Sequence, residues 1–433
     1  MIEHALIVTH RSRWRELGER DPEERRWMPY CGSPDNGENQ TGGVAAMAVQ
    51  GPGAKPLPLS VDDEVLDDLF DRIRRTRWTD SVAGAGWSYG TGIDYLRELA
   101  DFWVNGFDWR LEERILNDRL PGWGAQIDGR WVHFARCPGV GPDPLPLVLL
   151  HGWPGSFAEM TKIAPLLADP ARFGGNPADA FDVVVPSLPG HGLSEPVLQP
   201  GFGADQCADV IHALMTDVVG VSRFGAQGGD RGAFVSAGLG HRHRGAMLGI
   251  HLNFPSGIPG TGTEMTDDER RWLEDQRDWM AEEGGYIAIQ STRPQTIGFA
   301  LNDSPVGLLA WIVEKWRAWS DCRGDVESCF TKSELLTTAT IYWVTQTIRS
   351  SMHYYYEHRV DPPVAVRPDR VEVPTGVAMF PAEIMRVPKE SVARKYDLRR
   401  WTEMEAGGHF AAMEQPDALA ADVREFFRPL RTG

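Results

Sequence analysis

Residues 227–232 have the sequence Gln-Gly-Gly-Asp-Arg-Gly and lie between a predicted strand and a predicted helix. Small residues stand two positions before and two positions after Asp230. This is the spacing of a nucleophile elbow, a sharp strand-to-helix turn in which bulky neighbours would clash. Such a turn exposes its central side chain, so the stretch predicts a carboxylate nucleophile at Asp230. A glycine-rich turn with an aspartate at the helix N-cap is the alternative explanation.

Predicted strands and helices alternate on both sides of this turn. Short apolar or alternating runs predict strands at residues 130–135, 147–150, 181–185, 223–227, 247–252, 371–379 and 400–405. Amphipathic periodicity predicts helices over residues 65–73, 95–105, 204–219 and 416–427, the first of them after a capping box at Ser60 and Asp63. The alternation favours an α/β fold with a mostly parallel central sheet and helices on both faces.

A second glycine-containing turn, His-Gly-Trp-Pro-Gly-Ser at residues 151–156, follows one of the predicted strands. A turn at this place can aim a backbone N–H at the nucleophile. We expect the backbone N–H groups of Trp153 and Arg231 to form an oxyanion hole. An ordinary strand-to-helix turn capped by Ser156 is the alternative, and His151 itself is expected to be structural.

Two further residues complete a catalytic set in the order nucleophile, acid, histidine. His409 stands between Gly407-Gly408 and the predicted closing helix, where a loop could carry its imidazole to the elbow. Glu383 follows the strand predicted at residues 371–379 and is the candidate acid. A single glutamate is more often a solvated surface group, which is the alternative for Glu383.

Charge and composition exclude several classes of function. The formal net charge of the 433-residue chain is -17, which argues against a nucleic-acid partner or an anionic lipid surface because both require basic surface. No apolar run approaches the ~18–20 residues that span a bilayer, and the N-terminus does not resemble a signal peptide. The five cysteines are scattered without a CxxC pair, which indicates a reducing, cytoplasmic location rather than a zinc or redox site.

Two segments differ from the rest of the chain. Residues 1–56 are rich in glycine, asparagine and proline towards their end and show no clear periodicity, so we expect a poorly structured extension. Residues 256–365 contain many tryptophans and helix-like patterns without a clear strand. This second segment is predicted to be an insertion that sits on the sheet.

Taken together, these motifs resemble the α/β-hydrolase-fold epoxide hydrolases of the microsomal type, a group that includes juvenile-hormone epoxide hydrolases and soluble bacterial relatives. The resemblance runs from about Leu57 to Phe427. Its most specific pieces are HGWPGS (151–156), PSLPGHGLS (186–194), QGGDRGA (227–233), the run that begins GYIAIQS at residue 285, PTGVAMFPAE (374–383) and GGHFAAMEQP (407–416). The membrane anchor of the microsomal members has no counterpart, so no anchor is expected.

The resemblance implies a division of the chain and the remaining site residues. The expected units are an N-terminal helical segment (57–122), a first part of the core (123–255), a helical cap (256–365) and a second part of the core (366–433). Two cap tyrosines would bond the epoxide oxygen, and they match Tyr286 and Tyr355. Because Tyr354, Tyr355 and Tyr356 are consecutive, the second match is uncertain by one position. Trp153 and Tyr354 are expected to contact the substrate.

The implied reaction converts an apolar or aromatic epoxide and water into a vicinal diol. Asp230 would form an ester with the substrate, Tyr286 and Tyr355 would protonate the opened ring, and His409, oriented by Glu383, would activate water. The resemblance implies no metal and no cofactor. The expected partner is a small-molecule epoxide, and a homodimer is possible.

Three alternatives are left open. A haloalkane dehalogenase shares the aspartate nucleophile but typically has a tryptophan directly after it, where this chain has Arg231. A serine esterase would need a serine nucleophile, and the nearest candidate, Ser236, has Phe234 at the position that should be small. A catalytically silent binding protein could also use this scaffold.

Overall fold

A nine-stranded sheet forms the centre of the computed structural model, which describes residues 53–431. The strands are Lys55–Pro56 (β1), Gly122–Ile127 (β2), Arg130–Cys137 (β3), Leu145–Leu150 (β4), Phe181–Pro186 (β5), Phe224–Gly228 (β6), Met247–Leu252 (β7), Val371–Met379 (β8) and Tyr396–Glu403 (β9). Their order in space is β1-β2-β3-β5-β4-β6-β7-β8-β9. The pairs from β5 to β9 are parallel, whereas β1, β2, β3 and β5 pair in antiparallel fashion. The predicted α/β fold with a mostly parallel sheet is confirmed.

The central strands consist of apolar runs because helices cover both of their faces. In β4, residues 147–150 are completely buried, and β5 and β6 are buried along their whole length. The carboxyl ends of β4, β6 and β8 point to one edge of the sheet. The loops that carry the predicted site residues leave the sheet at this edge, which brings them together.

Fifteen helices surround the sheet within the described residues. They are Asp63–Arg74 (α1), Ile93–Asn105 (α2), Trp109–Arg119 (α3), Ile163–Ala168 (α4), Ala204–Ala213 (α5), Asp230–Arg242 (α6), Asp267–Glu283 (α7), Gly285–Thr292 (α8), Pro294–Asp303 (α9), Pro305–Trp319 (α10), Lys332–Thr345 (α11), Ile348–Val360 (α12), Lys389–Lys395 (α13), Ala411–Glu414 (α14) and Pro416–Phe427 (α15). A π-helical turn, Leu214–Val219, continues α5 over the rest of the helix predicted at 204–219.

Helices α7 to α12 occupy the segment predicted to be the cap. Two of them are tied to the loops at the edge of the sheet. The Tyr342 hydroxyl of α11 donates to the Gly155 carbonyl (2.8 Å), and the Ser350 hydroxyl of α12 donates to the Gly190 carbonyl (2.6 Å). These bonds hold the cap over the loops that follow β4 and β5.

The capping box predicted at Ser60 and Asp63 is wrong. Helix α1 begins at Asp63 with Asp62 as its N-cap. The chain before α1 is instead held by α3, since the backbone N–H groups of Leu59 and Val61 donate to the side chains of Asn117 and Glu113. Ser60 therefore lies in an extended stretch anchored to another helix.

Two strands, β2 and β9, differ most from the predictions. Strand β2 (GWGAQI) was missed because it lacks an alternating pattern. Its Gly124 makes room for a neighbour, since a Cβ there would lie 2.1 Å from the Trp131 ring. Strand β9 begins at Tyr396, four residues before the predicted start, because charged residues of this edge strand concealed the pattern. The predicted extension 1–56 lies outside the described residues except for its last four.

Within residues 53–431, no single helix has both the length and the apolar character to cross a membrane, although α9 and α10, bent by 118° at their junction, meet the length and composition criteria as a pair.

Candidate active site

The turn between β6 and α6 has the geometry of a nucleophile elbow. Asp230 has a positive φ of 44°, which L residues rarely adopt. A Cβ on Gly228 would lie 2.3 Å from the Gly232 carbonyl carbon, and a Cβ on Gly232 would lie 2.0 Å from the Leu150 carbonyl oxygen. Both glycines are therefore required by backbone contacts, and the turn projects the Asp230 side chain from the edge of the sheet.

The Asp230 carboxylate is held on both of its oxygens. Its Oδ1 accepts a hydrogen bond from the Trp153 backbone N–H (2.8 Å). Its Oδ2 lies 3.4 Å from His409 Nε2, which is an ion-pair distance and long for a hydrogen bond. About 17% of the side chain is exposed, so one face of the carboxylate is open to a reactant.

His409 lies between two carboxylates. Its Nδ1 donates to Glu383 Oε1 at 2.6 Å, which fixes the ring so that Nε2 points to Asp230. The His409 backbone N–H donates to the Trp319 carbonyl of the cap (2.9 Å). The structure thus brings Asp230, His409 and Glu383 into one line in which the base is oriented by a buried acid.

The electrostatics of this line depend on burial and on charge pairing. Burial opposes the charge on His409, but Glu383 and Asp230 raise its pKa well above the usual value. Burial also disfavours ionisation of Asp230, yet the charge and contact of His409 bring the pKa of this carboxyl below its usual range. For Glu383, burial dominates and raises the pKa. The resting site therefore contains an imidazolium beside an ionised Asp230.

Tyr286 and Tyr355 meet above the Asp230 turn, although they belong to different cap helices. Their ring centroids are 5.7 Å apart, and the Trp153 ring stacks on Tyr286 (5.5 Å, 5° between planes) and meets Tyr355 edge-on. Burial raises the pKa of both phenols, and the charge on Asp230 raises each further. Both hydroxyls are therefore protonated at neutral pH.

The structure does not bring Tyr354 to this site, so its predicted contact with the substrate is wrong. The Tyr354 hydroxyl donates to the Pro189 carbonyl (3.0 Å), and its buried ring packs against His191 and Phe202. Consecutive helical residues point in different directions, so only one of the two neighbours can face the cap pocket. Tyr355 is that residue.

Arg231 was predicted only for its backbone N–H, but its side chain is also part of the site. The buried guanidinium lies 3.7 Å from the centroid of the Tyr355 ring, a cation–π contact. Its charge counteracts the effect of burial on the Tyr355 pKa. The sequence signal was the position directly after the nucleophile.

Two other expectations from the sequence have clear structural outcomes. His151 is structural, since its Nε2 accepts from the Leu188 N–H and its ring is buried. Ser236 lies inside α6, where its hydroxyl donates to the Gly232 carbonyl (2.8 Å). This buried serine is not placed as a nucleophile.

Sequence reasoning missed three polar residues beside Asp230. Glu159, Gln227 and Asn253 line the same pocket as Asp230 and His409. The Gln227 amide donates to Asn253 (2.8 Å). None of the three was a candidate site residue from the sequence. Within residues 53–431, no cluster of three or more His, Cys, Asp or Glu side chains could hold a metal ion.

The parallel sheet, the aspartate elbow and the helical cap define an enzyme of the α/β-hydrolase fold. Two family models match the sequence, one for the epoxide hydrolase N terminus over residues 54–160 and one for the alpha/beta hydrolase fold over residues 146–283.

Comparison with known proteins shows to which family of α/β-hydrolase-fold enzymes the chain belongs. Epoxide hydrolase 1 of Oryctolagus cuniculus is 36% identical over 89% of this chain and 90% of its own length. The crystal structure of juvenile hormone epoxide hydrolase from the silkworm Bombyx mori superposes with a TM-score of 0.80 at 28% identity, covering 88% of this chain and 96% of that one. The structure of Aspergillus niger epoxide hydrolase gives a TM-score of 0.77 at 32% identity, covering 89% and 98%. The chain belongs to the epoxide hydrolase family.

Proposed function

We propose that this enzyme opens an epoxide by ester formation on Asp230 and then hydrolyses that ester with water activated by His409. The observation that carries the proposal is the line from Glu383 through His409 to Asp230, with contacts of 2.6 and 3.4 Å. A partly buried carboxylate beside an oriented base suits a two-step displacement.

In the first step, one Asp230 oxygen attacks an epoxide carbon and the ring C–O bond breaks. The oxygen that leaves as an alkoxide takes a proton from a cap phenol. Tyr286 and Tyr355 are the proposed donors because they meet above the elbow and stay protonated at neutral pH. The Arg231 guanidinium over Tyr355 would stabilise the phenolate that forms.

In the second step, water attacks the carbonyl carbon of the ester while His409 Nε2 accepts a proton. Ester formation removes the negative charge of Asp230, so the pKa of His409 falls, the imidazolium releases its Nε2 proton to solvent, and a neutral imidazole becomes available. Glu383 keeps the imidazole oriented and stabilises its charge. The Trp153 N–H, which already bonds Asp230 Oδ1, and the Arg231 N–H are the proposed oxyanion donors, worth on the order of 3 kcal/mol each.

The proposed substrate is an apolar or aromatic epoxide. Trp153, Tyr286 and Tyr355 form an aromatic wall next to the nucleophile, and Trp319 extends it towards His409. Aromatic side chains favour flat or bulky apolar ligands. A cytoplasmic location, a homodimer and the lack of a membrane anchor stay predictions from the sequence.

Diol formation from a panel of aryl and alkyl epoxides tests the activity, with halide release from chloroalkanes measured beside it. Diol is expected from the wild type, and Asp230→Ala should lower turnover by at least about 10⁴-fold while the protein stays folded. His409→Gln should form the ester and stall, so that the intact mass rises by the substrate mass. Turnover by Asp230→Ala, or halide without diol from the wild type, would contradict the proposal.

A further inference from the structure

A small cavity of about 20 Å³, enough room for one water molecule, lies beside Asp230. Its walls come from the segments 150–160, 227–253 and 409–419, and none of its lining residues belongs to the cap. It shares Trp153 with the aromatic wall but is not lined by the cap residues Tyr286 and Tyr355.

Residues that line this cavity carry buried polar atoms without a hydrogen-bond partner in the described part of the chain. These atoms are Glu159 Oε1, Gln227 Oε1, Trp153 Nε1 and His409 Nε2, the last of which has only its 3.4 Å contact with Asp230. Each of these side chains is at least nine-tenths buried. Because an unpaired buried polar atom destabilises the folded protein, a cluster of them around one cavity indicates a polar ligand. Two to four polar partners in a cavity of this kind suit a water molecule.

The turn after β4 positions the Glu159 carboxyl to contact such a water molecule. A Cβ on Gly155 would lie 1.1 Å from Glu159 Oε1, so the carboxyl occupies the space left by the missing side chain. The Glu159 backbone N–H donates to the Ser156 carbonyl (3.1 Å), which fixes the start of this turn. Glycine at position 155 therefore lets Glu159 reach back towards Asp230 and His409.

We propose that Glu159 binds the hydrolytic water, together with His409 and Gln227, and orients it towards the Asp230 ester. This inference rests on the proposed function. Burial raises the pKa of Glu159 to about 8, against the opposing charge of His409. The neutral carboxyl can then both accept from the water and donate to it.

The atoms balance without a further reactant. The water oxygen bonds to the ester carbonyl carbon, and one water proton passes to His409 Nε2. The bond between that carbon and the alkyl oxygen then breaks, and this oxygen takes the proton from His409. The second water proton passes to the cap phenolate, which restores the tyrosine and the Asp230 carboxylate, and His409 then takes back from solvent the proton that it released after ester formation. Glu159 orients the water and ends each cycle unchanged.

Single-turnover experiments on the full-length enzyme test the role of Glu159. Rapid quenching and intact-protein mass spectrometry follow ester formation and ester decay separately, with an aryl epoxide that the wild type converts. Glu159→Met removes the polar atoms at similar length and should slow ester decay by at least about tenfold, the effect of one lost hydrogen bond in the transition state. Ester formation should stay within about twofold, because the first step does not use this water.

Two further variants separate water binding from packing. Glu159→Gln keeps a polar oxygen and a donor, so its ester decay should stay within about threefold of the wild type. Glu112→Met makes the same substitution at a half-buried glutamate of α3 outside the cavity, and both steps should stay within about twofold.

Three outcomes would overturn the proposal. The first is ester decay at the wild-type rate in Glu159→Met, and the second is equal slowing of ester formation and ester decay in that variant together with a lower Tm. The third is equal slowing of ester decay in Glu159→Met and Glu159→Gln. Failure of the proposed function looks different, because no ester would then form even in His409→Gln.

Discussion

The elbow and the cap place their reactive groups by different physical means. Backbone contacts hold Asp230, since neighbouring glycines admit carbonyl groups at distances that no Cβ would tolerate. Aromatic packing holds Tyr286 and Tyr355, which come from two helices and meet through the Trp153 ring. The proposed nucleophile is thus fixed by local chain geometry, whereas the proposed proton donors depend on side chains that are distant in sequence.

Replacing neighbouring tyrosines of α12 gives the largest effect expected from this comparison. Tyr355→Phe removes a proposed proton donor and should lower the rate of ester formation by about 10²-fold. Tyr354→Phe removes only the bond to the Pro189 carbonyl, so the rate should stay within about threefold while the free energy of unfolding falls by about 1 kcal/mol.

Single-turnover kinetics and urea unfolding measure these two effects. Tyr286→Phe is the matched control for the second donor and should behave like Tyr355→Phe. A larger rate loss in Tyr354→Phe than in Tyr355→Phe would show that the assignment within the three tyrosines is shifted by one.

The same contrast explains what the sequence could predict. Asp230, Glu383 and His409 were found because each follows a recognisable strand in the required order. The contacts of His409 with Glu383 (2.6 Å) and with Asp230 (3.4 Å) form because the parallel strands that precede these residues end at the same edge of the sheet. The family resemblance supplied the cap tyrosines, but no local pattern distinguishes Tyr354 from Tyr355, since the direction of a helical side chain depends on how the helix packs.

Glu159 shows where the sequence gave no signal. A glutamate four residues after a glycine is ordinary, and only the folded turn shows that its carboxyl fills the space beside Gly155. The capping box at Ser60 failed for a related reason. Partners more than 50 residues away, Asn117 and Glu113, determine the path of the chain there.

A second prediction concerns the backbone contacts that shape the elbow. Gly232→Ala would place a methyl group 2.0 Å from the Leu150 carbonyl oxygen, so the free energy of unfolding should fall by about 3 kcal/mol. Gly245→Ala is the control, because no atom lies within 4 Å of its added Cβ, and its effect should stay within about 0.5 kcal/mol. Urea unfolding measures both, and equal stability of the two variants would contradict a backbone-built elbow.

A third and smaller expected effect is a difference in pH dependence between ester formation, which uses the cap tyrosines, and ester decay, which uses His409. Ester formation uses an ionised Asp230, whose pKa is lowered, and protonated phenols, whose pKa values are raised. Its rate should therefore be flat between about pH 5 and 9, since neither group changes its protonation there. Ester decay needs neutral His409, and Glu383 still raises the pKa of this imidazole in the ester.

The sign of the dependence follows from that requirement. Below the His409 pKa in the ester, the imidazole is protonated and cannot accept a proton from water, so ester decay should rise about tenfold per pH unit and then level off. Above about pH 8, ionisation of Glu159 removes its donor to the water, so the rate should fall again. The pKa measured in the ester should lie below that of the resting enzyme, because only one of the two carboxylates keeps its charge. Rates of both steps, measured by single turnover from pH 5 to 9, check this. If ester formation and ester decay depended on pH in the same way, one titrating group would control both steps, which would contradict the separate roles of the cap tyrosines and His409.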